Sequence, residues 1–438
     1  MKEQAFVIRH SDFVHLILCS YSPGKAMMIR RCVELLLTLL LSSAATAATP
    51  TSADEGPLFP IWAWIGVPAE HASVERYREM ADAGFTVAFD SAGDAATMTK
   101  MLDHAEAAGV QILISLPELH SAPEETARQF KEHPALAGYY LRDEPPASAF
   151  PELGEWTRRI QSVDSVHPCY VNLLPTYGNT EQWGAPTYPA YVERFLAEVP
   201  TPMLSFDHYP IVRNGDDPAT DAVRGDFYQN LEICSAAARQ SKRPLQAFSL
   251  SVAHHPYPIP TLTHLRLQGY SNLAYGAKVL QYFTYWTPVS DIWNFHEAPI
   301  AVDGTRTPTY DVVKAFNAEL QAIRGVFVGS TVESVGHTGD AIPAGTSAYE
   351  PTGLIKSLTT AGTGVAASHL SKGKQRFLVL VNRDIHQPTT ATIEFAASAP
   401  TGQIARIAKD GAYHPLPPGP YQTSIEPGDV AILTWQVD

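Results

Sequence analysis

Gly138-Tyr-Tyr-Leu-Arg-Asp-Glu-Pro-Pro146 reads as a short apolar strand that ends in two adjacent carboxylates, Asp143 and Glu144, and stops at a double proline. Proline has no N–H to give a ladder, so pairing ends there. Side chains alternate along a strand, which sends the two acids in different directions. In isolation the same stretch would also suit a surface turn with solvated acids. Recurrence decides against that. On both sides of it the chain repeats one unit: an apolar strand, a few polar or aromatic residues, then a helix.

Working outward, strands are expected at Phe59–Ile65, Phe85–Asp90, Val110–Leu116, the Asp-Glu stretch, Cys169–Pro175, Pro202–Pro210, Pro244–Ser251 and Val279–Trp286. Amphipathic segments alternate with them: Val74–Ala83, Ala95–Ala108, Glu124–His133, Leu153–Val163, Tyr188–Glu198, Phe227–Gln240, Leu262–Tyr275 and Tyr310–Arg324. Gly84 and Gly109 stand where helices stop. Eight such units in roughly 270 residues match a (β/α)8 barrel. A doubly wound open sheet also alternates strand and helix, but it usually has fewer strands, and no dinucleotide glycine fingerprint is present.

After Gly325 the helical period vanishes. Thr331–His337, Gln375–Asn382, Thr389–Ala396, Gln403–Ala408 and Val430–Val437 alternate like strands, with Gly, Pro and Asp turns between them. The expected organisation is α/β: an extension and leader over 1–50, a (β/α)8 TIM barrel over 58–325, and a C-terminal all-β sandwich over 326–438.

The leader is read from Arg30-Arg31, the apolar run Val33–Leu41 and the small residues Ala45-Thr-Ala47, the order of a secretory signal. Met27 or Met28 would be a natural start. The run is short for a bilayer span, so a secreted or periplasmic protein with no stable membrane span is expected; a retained N-terminal anchor is the alternative. Beyond the leader only Cys169 and Cys234 remain, too few for a metal site or a disulfide framework, and buried free thiols are expected. The 438 residues carry a formal charge of -14 and are 45% hydrophobic, with Trp 7, Tyr 19 and Phe 17. That balance argues against nucleic acid and anionic membranes and suits a neutral ligand such as a sugar. No metal or organic cofactor is implied.

In a barrel the residues just past each strand converge on one face. Here they are Trp64, Asp90, Glu118, Asp143, Glu144, Asn172, Asp207, His208, Tyr209, His254, His255, Tyr285, Trp286 and Asp291. Acids can move a proton at a glycosidic oxygen, polar groups can orient hydroxyls, and flat rings can stack on a pyranose. Each also has a plainer reading: Asp90 as a helix cap, Glu118 as a loop charge, Trp64 and Trp286 as filler. Glu144, Asp143 and Asp207 are the expected catalytic residues. Trp64, Asp90, Glu118, Asn172, His208, Tyr209, Tyr285 and Trp286 are the expected substrate contacts. Trp286 is expected to floor a sugar subsite.

With these residues in view, the region 58–438 resembles the TIM-barrel glycoside hydrolases. The carriers are Tyr140-Leu-Arg-Asp-Glu-Pro145, Phe206-Asp-His-Tyr-Pro210, Gln281-Tyr-Phe-Thr-Tyr-Trp286 and the exit Gly304–Tyr310 with Asn317–Leu320. The resemblance implies hydrolysis of an oligosaccharide or polysaccharide with Glu144 as acid/base. It departs from the large clan with a strand-four Asn-Glu-Pro, because Asp143 replaces the Asn and strand seven, Gln246–Ser251, has no acid. An Asp-Glu pair is similar to the substrate-assisted N-acetylhexosaminidases, where the Glu protonates the leaving group and the Asp orients the attacking acetamide. A non-catalytic carbohydrate-binding barrel is the alternative from another class. A lyase or esterase lacks its serine elbow here.

Overall fold

The computed structural model describes residues 56–215, 217–396 and 404–437. The leader expected within 1–50 lies outside the described residues. Eight parallel strands close into a barrel: β1 Ile61–Trp64, β2 Val87–Ser91, β3 Gln111–Ser115, β4 Leu136–Asp143, β5 Cys169–Leu173, β6 Leu204–Phe206, β7 Leu245–Leu250 and β8 Ala277–Phe283. β1 pairs with both β2 and β8, so no edge remains and the open-sheet alternative falls. The strands are shorter than the apolar runs suggested. β6 has three residues, and its neighbours in sequence, Asp207 and Tyr209, already belong to the mouth.

The eight longer helices are α1 Val74–Asp82, α2 Ala95–Ala108, α3 Pro123–Phe130, α4 Phe150–Gln161, α5 Tyr188–Glu198, α6 Phe227–Ser241, α7 Leu262–Ala274 and α8 Pro308–Ala322, with short turns of helix at Pro117–Ser121, Thr180–Trp183 and Arg324–Phe327 among the described residues. Ser73, Asp94, Thr187, Thr261 and Thr307 cap five of them by accepting first-turn N–H groups, each cap worth about 1 kcal/mol. The alternation of strand side chains makes two cores. Ala63, Ala88, Ile112, Leu173 and Tyr282 face the helices. Trp62, Trp64, Phe89, Leu113, Tyr170 and Phe248 fill the barrel.

The barrel interior also holds a polar knot. Tyr170 Oη donates to Gln281 Oε1 at 2.6 Å, Gln281 Nε2 donates to Ser205 Oγ at 2.9 Å, and Ser205 Oγ donates to Asn172 Oδ1 at 2.9 Å. These groups are buried and satisfied by one another, as low-dielectric surroundings require.

Beyond the barrel the described residues form nine antiparallel strands: β9 Thr331–His337, β10 Ile355–Thr359, β11 Val365–Lys372, β12 Gln375–Asn382, β13 Thr389–Phe395, β14 Ala405–Ile407, β15 Tyr413–Pro415, β16 Tyr421–Ile425 and β17 Val430–Gln436. They form a six-stranded sheet, β9-β11-β12-β17-β14-β15, facing a three-stranded one, β10-β13-β16. Leu378, Leu380, Ile393 and Trp435 fill the space between them. Leu370, Phe377 and Val379 pack on the other side, against the helix layer that includes Leu265 and Leu273 of α7. Arg266 of α7 bonds Glu319 of α8 and lies 3.5 Å from Asp429 just before β17, tying the sandwich to the barrel. Cys169 and Cys234 are free and buried.

Candidate active site

The site is built on β4, β5 and β6. On β4 the register against β5 slips between Tyr140 and Arg142, so two residues of one strand oppose one of the other. Without that bulge Arg142 would follow Tyr140 into the barrel; with it, Asp143 lies opposite Asn172 instead. Glu144 follows immediately with φ +42, a left-handed conformation that costs a side-chain-bearing residue free energy. Its N–H donates to Asn172 O at 2.9 Å, which holds the turn. The expected divergence of the two acids is therefore corrected. Glu144 has left the strand, alternation no longer governs it, and both carboxyls lie beside Asp207.

Asp207 reaches the same point from β6, two residues past Ser205 on the inner face. Asn172 joins the group: its Nδ2 donates to Asp207 Oδ1 at 2.8 Å and to Asp143 Oδ1 at 3.2 Å. Because its Oδ1 accepts from Ser205, the amide can point only its donors at the acids. Glu144 in turn shares a hydrogen bond with Asp207.

Carboxyls this close cannot all ionise. Burial raises Asp207 well above the ordinary carboxylate range, and the charges of Glu144 and Asp143 add to the rise. Burial and the charge of Asp143 push Glu144 up to about 7, against the hydrogen bond with Asp207. Desolvation raises Asp143 to about 6, opposed by the donors of Asn172 and the Glu144 backbone. Asp143 is packed round by protein, yet it is exposed at the barrel mouth. Water and two donors make it the acid that ionises first. The Glu144–Asp207 pair is left holding a proton near neutral pH.

Tyrosines form one wall. Tyr209 lies in contact with Asp207, and its ring centre is 5.8 Å from that of Tyr257. Tyr177 bonds Tyr257 and also borders Asp207 and Glu144, with the Arg224 guanidinium 4.3 Å above its ring. Tyr177, Tyr257 and Arg224 were not expected from the sequence. Tyr257 sits between Pro256 and Pro258 in an irregular loop, and only its closeness to the His254-His255 pair could have drawn attention to it.

Several expected contacts lie elsewhere. Asp90 faces the helix side of the wall, where Val67 N donates to it at 2.9 Å and Tyr77 Oη at 2.6 Å. It follows Phe89, which points inward, so alternation sends it out; a Cβ on Gly66 would overlap it. Glu118 accepts from Ala95 N at 3.3 Å and caps α2. His208 also faces outward, with Nε2 3.3 Å from Asp226 in a poorly directed contact and its ring against Phe227 of α6. Trp64 is barrel core, its ring edge-on to Phe248 and Tyr140.

Tyr285 and Trp286 are the largest correction. β8 ends at Phe283, and Thr284 Oγ1 donates to Trp286 O at 2.7 Å, folding the chain out of the extended form. Both rings then pack on the helix side: Tyr285 against Phe85, and Trp286 against His71 and Arg76. Asp103, Glu106 and His133 are the one group of described residues with donor atoms close enough to share a cation. They lie on and near the last turns of α2, away from the carboxyl cluster.

The buried Asp90 gives the first prediction. Burial raises its carboxyl to about 7, against the bonds from Tyr77 and Val67. A folded-state pKa above the unfolded value means that the folded form binds the proton more tightly. The associated stability is complete at low pH and is lost as pH rises through about 7. Asp90→Asn should therefore gain stability relative to the parent between pH 4 and pH 8. A difference in Tm that stays flat across that range, measured by calorimetry, would count against this titration.

No family model matches the chain, and no curated protein is similar to it in sequence. Solved structures do share its architecture. The β-galactosidase of Bacillus circulans sp. alkalophilus aligns at 10% identity over 86% of this chain and 99% of that one, with a TM-score of 0.55. The β-galactosidase of Rahnella sp. R3 gives 10% identity over 89% and 100%, with 0.52. An Anoxybacillus α-amylase gives 12% over 89% and 99%, with 0.51. The likeness is one of fold. All three are glycosidases, and each is matched over almost its entire length.

Proposed function

We propose that this chain is a glycoside hydrolase that cleaves an oligosaccharide or polysaccharide, with Glu144 as general acid. The observation that carries this is the carboxyl cluster: three acids from β4 and β6 meet at the end of the barrel where sites are built, and a proton is retained on Glu144 and Asp207 near pH 7. A glycosidic oxygen needs a proton as it leaves and a negative group beside the positive charge that develops on the sugar. Glu144 suits the first task. Asp207 and Asp143 suit the second.

Glu144 and Asp207 share a hydrogen bond, closer than the about 5–5.5 Å of a retaining pair and well short of the about 6.5–9.5 Å of an inverting one. A retaining route has Asp207 attack the sugar while Glu144 gives its proton to the leaving oxygen, and the two carboxyls part as the sugar enters between them. That route uses the form of the pair in which the one proton sits on Glu144 and Asp207 is ionised, although burial raises Asp207 the more strongly of the two. Because Asp143 and Glu144 face the same space, a second reading is also supported, in which Asp143 orients a 2-acetamido group that attacks in place of Asp207. The leader motif argues for action in a secreted or periplasmic setting.

Fluorinated slow substrates separate the two routes. With Asp207 as nucleophile they should leave a sugar on the Asp207 peptide in a mass spectrum, and azide should rescue Asp207→Gly. If no label forms, turnover is confined to 2-acetamido sugars and Asp143→Asn abolishes it, the nucleophile assignment is lost.

A further inference from the structure

The rim of the mouth carries an exposed aromatic feature that the carboxyl cluster does not use. The loop after β8 presents Trp293 with half of its surface open to solvent, beside the exposed Ile292 and Val289. Its place is fixed. Ser290 Oγ accepts from the backbone N–H groups of Ile292 and Trp293, both at 3.1 Å. Ala253 and His296 exchange a pair of backbone bonds, each 2.9 Å, which clamps this loop to the one after β7. Asn294 Oδ1 accepts from His255 N at 2.9 Å.

Trp293 also ends a line of rings. Its centre lies 5.7 Å from that of His254, which lies 4.8 Å from Tyr257. Tyr257 bonds Tyr177 and lies beside Tyr209, and both of those border Asp207. A chain of ring contacts therefore runs from the carboxyls to the outer rim, through the buried His254. A solvated indole held by backbone bonds gains nothing for the core, but it offers a flat apolar surface on a loop that also carries the polar Asp291 and Asn294. A pyranose has the matching form, apolar on its faces and hydroxylated round its edge.

We infer that Trp293 is the outer platform of an extended glycan groove, and that the substrate is a neutral sugar chain several units long. This rests on the glycoside hydrolase reading and adds to it the length of the substrate. The formal charge of -14 directs the choice toward uncharged chains.

Native affinity gels containing soluble glucans, xylan or galactan would find a polysaccharide that retards the protein. Calorimetry with oligosaccharides of two to six units from that polymer would then compare the parent with Trp293→Ala. The expected result is affinity that grows with length in the parent, and a loss of about tenfold in Trp293→Ala on the longest oligomers, with the dimer bound equally by both. Equal affinities at every length, or no retardation of the parent by any polymer, would overturn the platform. So would a concentration-dependent dimer in sedimentation that Trp293→Ala abolishes, which would assign the patch to a second copy of the chain. Glu144→Gln measured in parallel keeps the two readings apart. If it loses turnover while Trp293→Ala behaves as the parent, only the platform fails. If it turns over like the parent, the acid assignment fails.

Discussion

Glu144→Gln is expected to lower kcat/KM on an unactivated glycoside by about 10²–10⁴-fold, the usual worth of a positioned general acid. The amide keeps the shape and still fits the left-handed turn bonded to Asn172, but it has no acidic proton to give. Aryl glycosides with good leaving groups should lose much less, since their oxygen departs with little help. In the parent protein kcat/KM should fall as pH rises through about 7, where Glu144 loses its proton, and the variant should lack that limb. Misfolding would not account for the loss. One of three crowded acids has been neutralised, so above neutral pH the variant should melt no lower than the parent. Parental turnover on a natural glycan would remove Glu144 from the mechanism.

Trp286→Ala is expected to cost about 3–5 kcal/mol of stability, the range for emptying a buried aromatic site. Its indole is buried between His71, Arg76 and Gly304 on the helix side of the barrel. Sugar affinity, read by calorimetry on whatever protein remains folded, should match the parent's. A small melting shift with a large loss of affinity would return Trp286 to the mouth.

These two residues mark how far the chain alone could be read. The barrel was legible because eight apolar strands recur with helices between them, and alternation within each strand explains both the inward Trp64 and the outward Asp90. Asp207 and Asn172 were legible for the same reason. What could not be read is where alternation breaks. The extra residue on β4 has no signature in Tyr140-Leu-Arg-Asp, yet it turns Asp143 inward. The turn after Phe283 has none either, yet it carries Tyr285 and Trp286 out of the mouth. In the sandwich, β10, β15 and β16 escaped because strands of three to five residues give too short an alternation, and β11 because its run of Ala and Ser gives a weak one.

Asn172 has a further consequence. Its amide is steered from the side, by the hydroxyl of Ser205, its register partner on the next strand, and not by any loop above it. The pattern of donors and acids at the mouth is therefore inherited from the strands of the barrel itself. Loops that shape the groove, including the one bearing Trp293, can change in length or sequence without resetting the charges beneath them. One barrel interior could thus serve grooves fitted to different sugar chains.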